Sequence, residues 1–109
     1  MRIWHDKLVR DRIPEIIAEH GRACETRVLG KAEYEAALRA KLVEEAREAQ
    51  AASPKELAKE LGDILEVAAA LEEAAGIKHE EVEALRSRRR RERGSFAGRI
   101  FLVWADADE

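Results

Sequence analysis

Cysteine is all but missing from this chain: Cys24 stands alone among 109 residues, so no internal disulfide is available and the thiol reads as a small hydrophobe near a turn. Helix breakers are scarce as well. Two prolines, six glycines and 5% aromatics leave a composition dominated by Ala, Glu, Leu and Arg, which favours helix. No apolar run approaches the ~18 residues of a membrane span, and the opening MRIWHDKLVRDRIP lacks the apolar centre of a signal peptide. A soluble cytoplasmic protein is expected. Neither sign of charge prevails: 20 basic against 23 acidic residues give a formal net charge of −3, so the whole molecule offers no general attraction to nucleic acid or to an anionic membrane.

What is present is 39% charged and 46% hydrophobic, at a length suited to one domain spanning residues 1–109. Leu8, Ile13, Ile16 and Ile17 recur at helical spacing between Lys7 and His20, with Gly21 as a stop. Proline is tolerated only in the first helical turn, so Pro14 moves the regular start to Arg12 or Ile13, after a turn through Val9 to Asp11. Asp11 is then expected to cap the helix, and residues 7–11 are free for another role. From Lys31 to about Ala52 neither Gly nor Pro occurs, and Tyr34, Leu38, Leu42 and Ala49 form one stripe. Ser53-Pro54 followed by Glu56 reads as a capping box that opens the next helix. That helix runs to about Ala75, stops at Gly76 and carries an apolar stripe of Leu57, Leu61, Ile64, Ala68 and Leu71. The short turn makes these two helices an antiparallel hairpin. A fourth helix is expected from Lys78 to Arg93, with Val82 and Leu85 inward. The fold is therefore an all-α, four-helix-type bundle, with a short two-stranded ribbon from residues near 26–29 and 99–104 as a possible addition.

The stretch EEAREAQAASPKELAKELGDILE at 44–66 turns carboxylates toward the apolar faces. Glu45 falls about 20° and Glu48 about 80° from Leu38 on the helical wheel, while Glu44 lies further round. Glu60 falls between Leu57 and Val67, with Asp63 at the edge on the same side. Two i, i+3 pairs thus face each other across the hairpin. Burying them uncompensated costs several kcal/mol each, so an unliganded cluster would take up protons or splay apart. A cation is implied: a hard divalent ion suited to oxygen ligands, or Lys and Arg from the same bundle.

Glu44-Glu45-Ala46-Arg47-Glu48 followed by Glu60-Leu61-Gly62-Asp63 resembles the EExxE and ExxD motifs of the all-α nucleoside triphosphate pyrophosphohydrolases, the superfamily of MazG, dimeric dUTPases and phosphoribosyl-ATP pyrophosphohydrolase. KLVRDRIPEII at 7–17, RVL at 27–29 and RGSFAGRIFL at 93–102 look like the flanking segments of a MazG-like, phosphoribosyl-ATP pyrophosphohydrolase-like subgroup, so the likeness covers nearly the whole chain. The resemblance implies a homodimer or higher homo-oligomer that uses Mg2+, with Mn2+ as a substitute, to split a nucleoside triphosphate into monophosphate and pyrophosphate. It implies Glu45, Glu48, Glu60 and Asp63 as metal ligands and Glu44 as the catalytic carboxylate that takes a proton from water or binds a second metal. Histidine-pathway enzymes would carry a histidine soon after the ExxD aspartate, and Ile64 to Ala70 contains none. Nucleotide-pool cleaning is therefore favoured over the alternative, histidine biosynthesis.

A triphosphate substrate calls for cations beyond the metals, and Lys7, Arg10, Arg12, Arg93 and Arg99 lie beside the family-like segments. Lys7, Arg10, Arg93 and Arg99 are the candidates for gripping phosphate. The run Arg88 to Arg91 suggests a nucleic-acid-binding helical protein as an alternative of another class. A solvated helix end explains the run more simply, since cations suit the dipole there and no aromatic side chains interleave it. His5, His20 and His79 are scattered and receive no catalytic role. Trp4 and Trp104 read as packing anchors, and Phe96 as a ring that could approach a base. Apolar stripes on the two long helices exceed what one hairpin covers, in keeping with self-association.

Overall fold

A computed structural model describes residues 1–108. Four helices are present: α1 (Ile13–Glu19), α2 (Lys31–Ala51), α3 (Leu57–Ala75) and α4 (His79–Arg93), and the described residues contain no strand. The chain divides into two compact units, Met1–Ile77 and Lys78–Glu109. No helix is long and apolar enough to cross a membrane.

In the first unit α1 begins at Ile13 with Pro14 in its first turn, where a missing N–H costs nothing. Asp11 does not cap it. Arg12 holds the N-cap position without a side-chain cap bond, and its Nε donates to Glu15 at 3.1 Å. α2 and α3 pack as the expected hairpin, with Leu38 and Val67 as its buried apolar residues. The capping box at Ser53 does not form: the Ser53 carbonyl, not its hydroxyl, takes the N–H groups of Glu56 and Leu57 at 3.0 and 3.1 Å. Residues 54–56 make a turn, so α3 starts at Leu57. Its far end matches expectation. Gly76 has φ of 70°, and the Ile77 N–H reaches back to the Glu72 carbonyl at 2.9 Å, a left-handed C-terminal cap.

α3 is turned relative to its leucine stripe. Leu57 and Leu61, expected inward, are exposed together with Leu65, while Glu60 and Val67 are buried. On the wheel Glu60 and Val67 lie about 20° apart and some 60–80° from Leu57. The line of α3 set against α2 therefore carries Glu60, as expected, while Leu57, Leu61 and Leu65 become an uncovered flank.

Among the described residues neither segment of the expected two-stranded ribbon is a strand. Val28 is 98% exposed and Ile100 91% exposed, and each segment runs extended without a ladder; a ribbon this short is marginal unless it lies on something. Residues 24–30 are instead tied to the first turn of α2 by the Arg27 guanidinium, which forks onto Glu33 at 3.0 and 3.4 Å. Cys24 is free and exposed.

In the second unit α4 starts at His79 and ends at Gly94, whose φ of 87° and ψ of −177° lie where essentially only glycine is stable. Val82 is half-buried, whereas Leu85, expected inward with it, is exposed. The extended segment that follows carries Phe96, Phe101 and Trp104 exposed.

Candidate metal centre of the hairpin

The site is built where α2 and α3 face each other. Glu45, about two turns beyond Leu38 on α2, and Glu60, in the first turn of α3, are each only 6% exposed. Asp63, one turn further along α3, is half-buried beside them. One carboxylate oxygen from each of Glu45, Glu60 and Asp63 lies within 4.8 Å of the others. Glu48 does not join them. It is exposed, because its flank position on α2 points it past the contact line between the helices. Glu44 sits half-buried next to Glu45.

Cations surround the cluster. The Lys7 ammonium donates to Glu44 Oε1 at 3.3 Å, and the Arg10 guanidinium donates to Asp63 Oδ1 at 2.8 Å. Lys41 Nζ stands 3.6 Å from both Glu44 Oε2 and Glu45 Oε1, and Lys59 Nζ stands 3.6 Å from Glu60 Oε1. Residues 7–11, which precede α1, thus act as a strap that lays two cations on the hairpin's acidic face. Lys41 and Lys59 were not anticipated, although Lys41 stands three and four residues before Glu44 and Glu45, the spacing at which helical side chains meet.

Cations and carboxylates balance in number, yet they do not balance in geometry. Glu45 Oε2 and Glu60 Oε2 are buried and have no hydrogen-bond partner. A buried acceptor without a donor forfeits its hydration, at a cost of about 1–3 kcal/mol and more when charged, so native structures seldom retain one without cause. Lys41 and Lys59 stand beside the Oε1 atoms of these two carboxylates as ion pairs and leave each Oε2 without a donor. Three converging hard oxygen donors, two of them from carboxylates with an unclaimed oxygen, could hold a hard divalent ion.

Burial opposes ionisation of Glu44, but the hydrogen bond from Lys7 and the charges of Lys41 and Lys7 outweigh it and hold its pKa below the usual carboxylate value. Glu44 is therefore a carboxylate throughout the neutral range. Of the remaining candidates, Arg93 and Arg99 belong to the second unit, Arg93 in the last turn of α4 and Arg99 after it with a left-handed φ of 54°. Arg12 is taken up by Glu15. His20 uses Nδ1 on the Ile16 carbonyl at 2.8 Å, a helix-end contact remote in kind from catalysis.

A protein of Mycolicibacterium smegmatis described as uncharacterized is 52% identical over 56 residues, which is 51% of this chain and 57% of that protein. The chain thus matches less than two thirds of that relative's length. No family model matches the chain, and no solved structure does.

Proposed function

We propose that the chain is a Mg2+-dependent nucleotide pyrophosphohydrolase that cleaves a nucleoside triphosphate to the monophosphate and pyrophosphate, with nucleotide-pool cleaning in the cytoplasm as its role. The observation that carries this reading is that Glu45 and Glu60, each with a buried, unpartnered Oε2, bring carboxylate oxygens together with Asp63 within 4.8 Å. The likeness of residues 44–48 and 60–63 to the EExxE and ExxD motifs supplies the reaction and the attack at the α-phosphorus.

Glu45, Glu60 and Asp63 would hold the ion, with Glu48, one turn on from Glu45, as the further ligand implied by the resemblance. Bound there, Mg2+ supplies charge neutralisation for the triphosphate and a lowered pKa for water. The chain's own residues do the rest. Glu44, ionised and adjacent, accepts the proton of the attacking water. With substrate present, Arg10 would turn from Asp63 to the phosphates, which it can grip through two parallel hydrogen bonds, and Lys7 would turn to them from Glu44. The same strap thereby keeps the acidic face neutral before substrate arrives and becomes part of the phosphate site afterwards. The uncovered flank of Leu57, Leu61 and Leu65 suits self-association through the hairpin.

The test is pyrophosphate release from a panel of nucleoside triphosphates with Mg2+. Turnover is expected, and it is expected to vanish in folded Glu45→Gln and Glu60→Gln variants. Unchanged turnover in those variants removes the assigned ligands.

A further inference from the structure

The second unit carries a feature that the hydrolase reading does not use and that stands independently of it. Residues 86–99 contain seven arginines and a single glutamate, and α4 sorts them by face. Val82, Arg86, Arg89, Arg90 and Arg93 fall within about 100° of the helical wheel, whereas Arg88 and Arg91 lie on the opposite side. On the opposite side Arg88 Nε donates to Glu92 at 2.8 Å, and Arg91 has no carboxylate partner among the described residues. On the near side Arg86 Nη1 donates to Glu83 at 3.4 Å, and Arg89, Arg90 and Arg93 have no carboxylate partner among the described residues. Cations at spacings of three and four repel and weaken a helix. The helix dipole favours cations in this last turn, but it acts on Arg91 as well, so it does not account for a stripe on one face.

The stripe is also concave. Gly94 turns the chain so that Ser95 and Phe96 close a hollow of about 730 Å³ with Val82 and the four arginines. Ser95 Oγ accepts the Ala97 N–H at 3.3 Å, which fixes the turn, and the Phe96 ring at its edge is 98% exposed. An open ring beside unpaired guanidinium groups has the two parts that single strands need, cations along the backbone and a platform for a base. From Arg86 to Arg93 the stripe runs about 10 Å, which spans roughly three phosphates at ~3.4 Å per nucleotide. A duplex would keep its bases stacked away from Phe96.

We propose that this face of α4, with Phe96 at its end, binds single-stranded nucleic acid, the arginines gripping successive phosphodiesters and Phe96 stacking on one base. Fluorescence anisotropy of a labelled 12-nucleotide oligo-dT, titrated with the full chain over a KCl series, reads the affinity and its salt dependence. A slope of log affinity against log salt near −2 is expected for about three neutralised phosphates, falling to about −0.7 in Arg89→Gln/Arg90→Gln with at least ten-fold weaker binding in 50 mM KCl. Arg88→Gln/Arg91→Gln, equal in net charge, should bind within two-fold of the parent chain. Phe96→Ala should lose about ten-fold with the slope unchanged. Equal losses in the two arginine doubles would reduce the site to net charge and overturn the proposal. So would absent binding in 50 mM KCl, or displacement of the oligonucleotide by tripolyphosphate or ATP at equal phosphate concentration, which would mark a site for free phosphates instead. Circular dichroism of each variant separates lost binding from lost helix, and Phe96→Ala, outside the helix, tests the face even if an arginine double unfolds.

Discussion

The α2–α3 hairpin and α4 both gather like charges, and they do so under opposite conditions. On α4 four of the arginines share one exposed helix face, where water screens them and each repulsive pair costs only a few tenths of a kcal/mol. In the hairpin the carboxylates come from two helices and meet across a packed contact, where Glu45 and Glu60 are each 6% exposed. Screening is weak there, and every unclaimed lone pair is expensive. A charge cluster on one solvated helix thus says little until its pairing is known, whereas one enclosed between two helices demands compensation. The strap and the lysines provide most of it, and the two unpartnered oxygens mark what they leave undone.

The contrast breaks most visibly at the buried carboxylates. Glu45→Gln and Glu60→Gln should each lower pyrophosphate release by roughly 100-fold or more, the scale of losing several kcal/mol of charge stabilisation. Glu48→Gln, on the exposed flank, should cost far less, and an equal loss would place Glu48 among the ligands once substrate is bound.

Stability should move the other way. Replacing Glu60 by Leu exchanges an imperfectly paired buried carboxylate for an apolar side chain of similar reach, with a gain of up to about 1–4 kcal/mol by chemical denaturation if Lys59 swings clear. Arg89→Gln on α4 should change stability by less than about 0.5 kcal/mol. A loss of stability in Glu60→Leu would show that the carboxylate is structurally required.

The strap predicts smaller effects. Arg10→Ala removes the cation that competes for Asp63, so Mn2+ affinity followed by electron paramagnetic resonance should rise about three- to ten-fold, while the loss of a largely exposed ion pair costs no more than about 1 kcal/mol. Weaker Mn2+ binding would place Arg10 in support of the metal ligands rather than in competition with the ion.

Smallest is the pH effect at Glu44. Its folded pKa lies below 4.5, so the pairing with Lys7 contributes stability above that value and loses it as pH falls through the folded pKa. The melting-temperature difference between Lys7→Ala and the parent chain should therefore be present at pH 7 and fade as pH falls below 4.5 through the folded pKa. A difference that does not shrink on acidification would point to packing of the lysine stem instead.

Helix identity was legible because it depends on local rules. The breaker-free run from Lys31 to Ala51, Pro14 in a first turn and Gly76 at a left-handed cap each state their conformation within a few residues. Glu45 and Glu60 were legible as inward positions for the same reason, since the wheel is a local property. Three features were not. Ser53 lost its capping role to its own carbonyl and Asp11 yielded the cap position to Arg12, because near neighbours compete for the same place, and the segments near 26–29 and 99–104 did not become strands, because a ribbon that short needs a surface to lie on.

The sequence by itself determined four helices, an acidic hairpin and an arginine-rich end, since period and breaker placement suffice for those. Tertiary structure alone decided that Leu57 and Leu61 of α3 stay uncovered, that Lys7 and Arg10 close over the acids, and that one oxygen of Glu45 and one of Glu60 remain without a donor. Burial and pairing are relations between distant residues, and no local pattern encodes which of them meet.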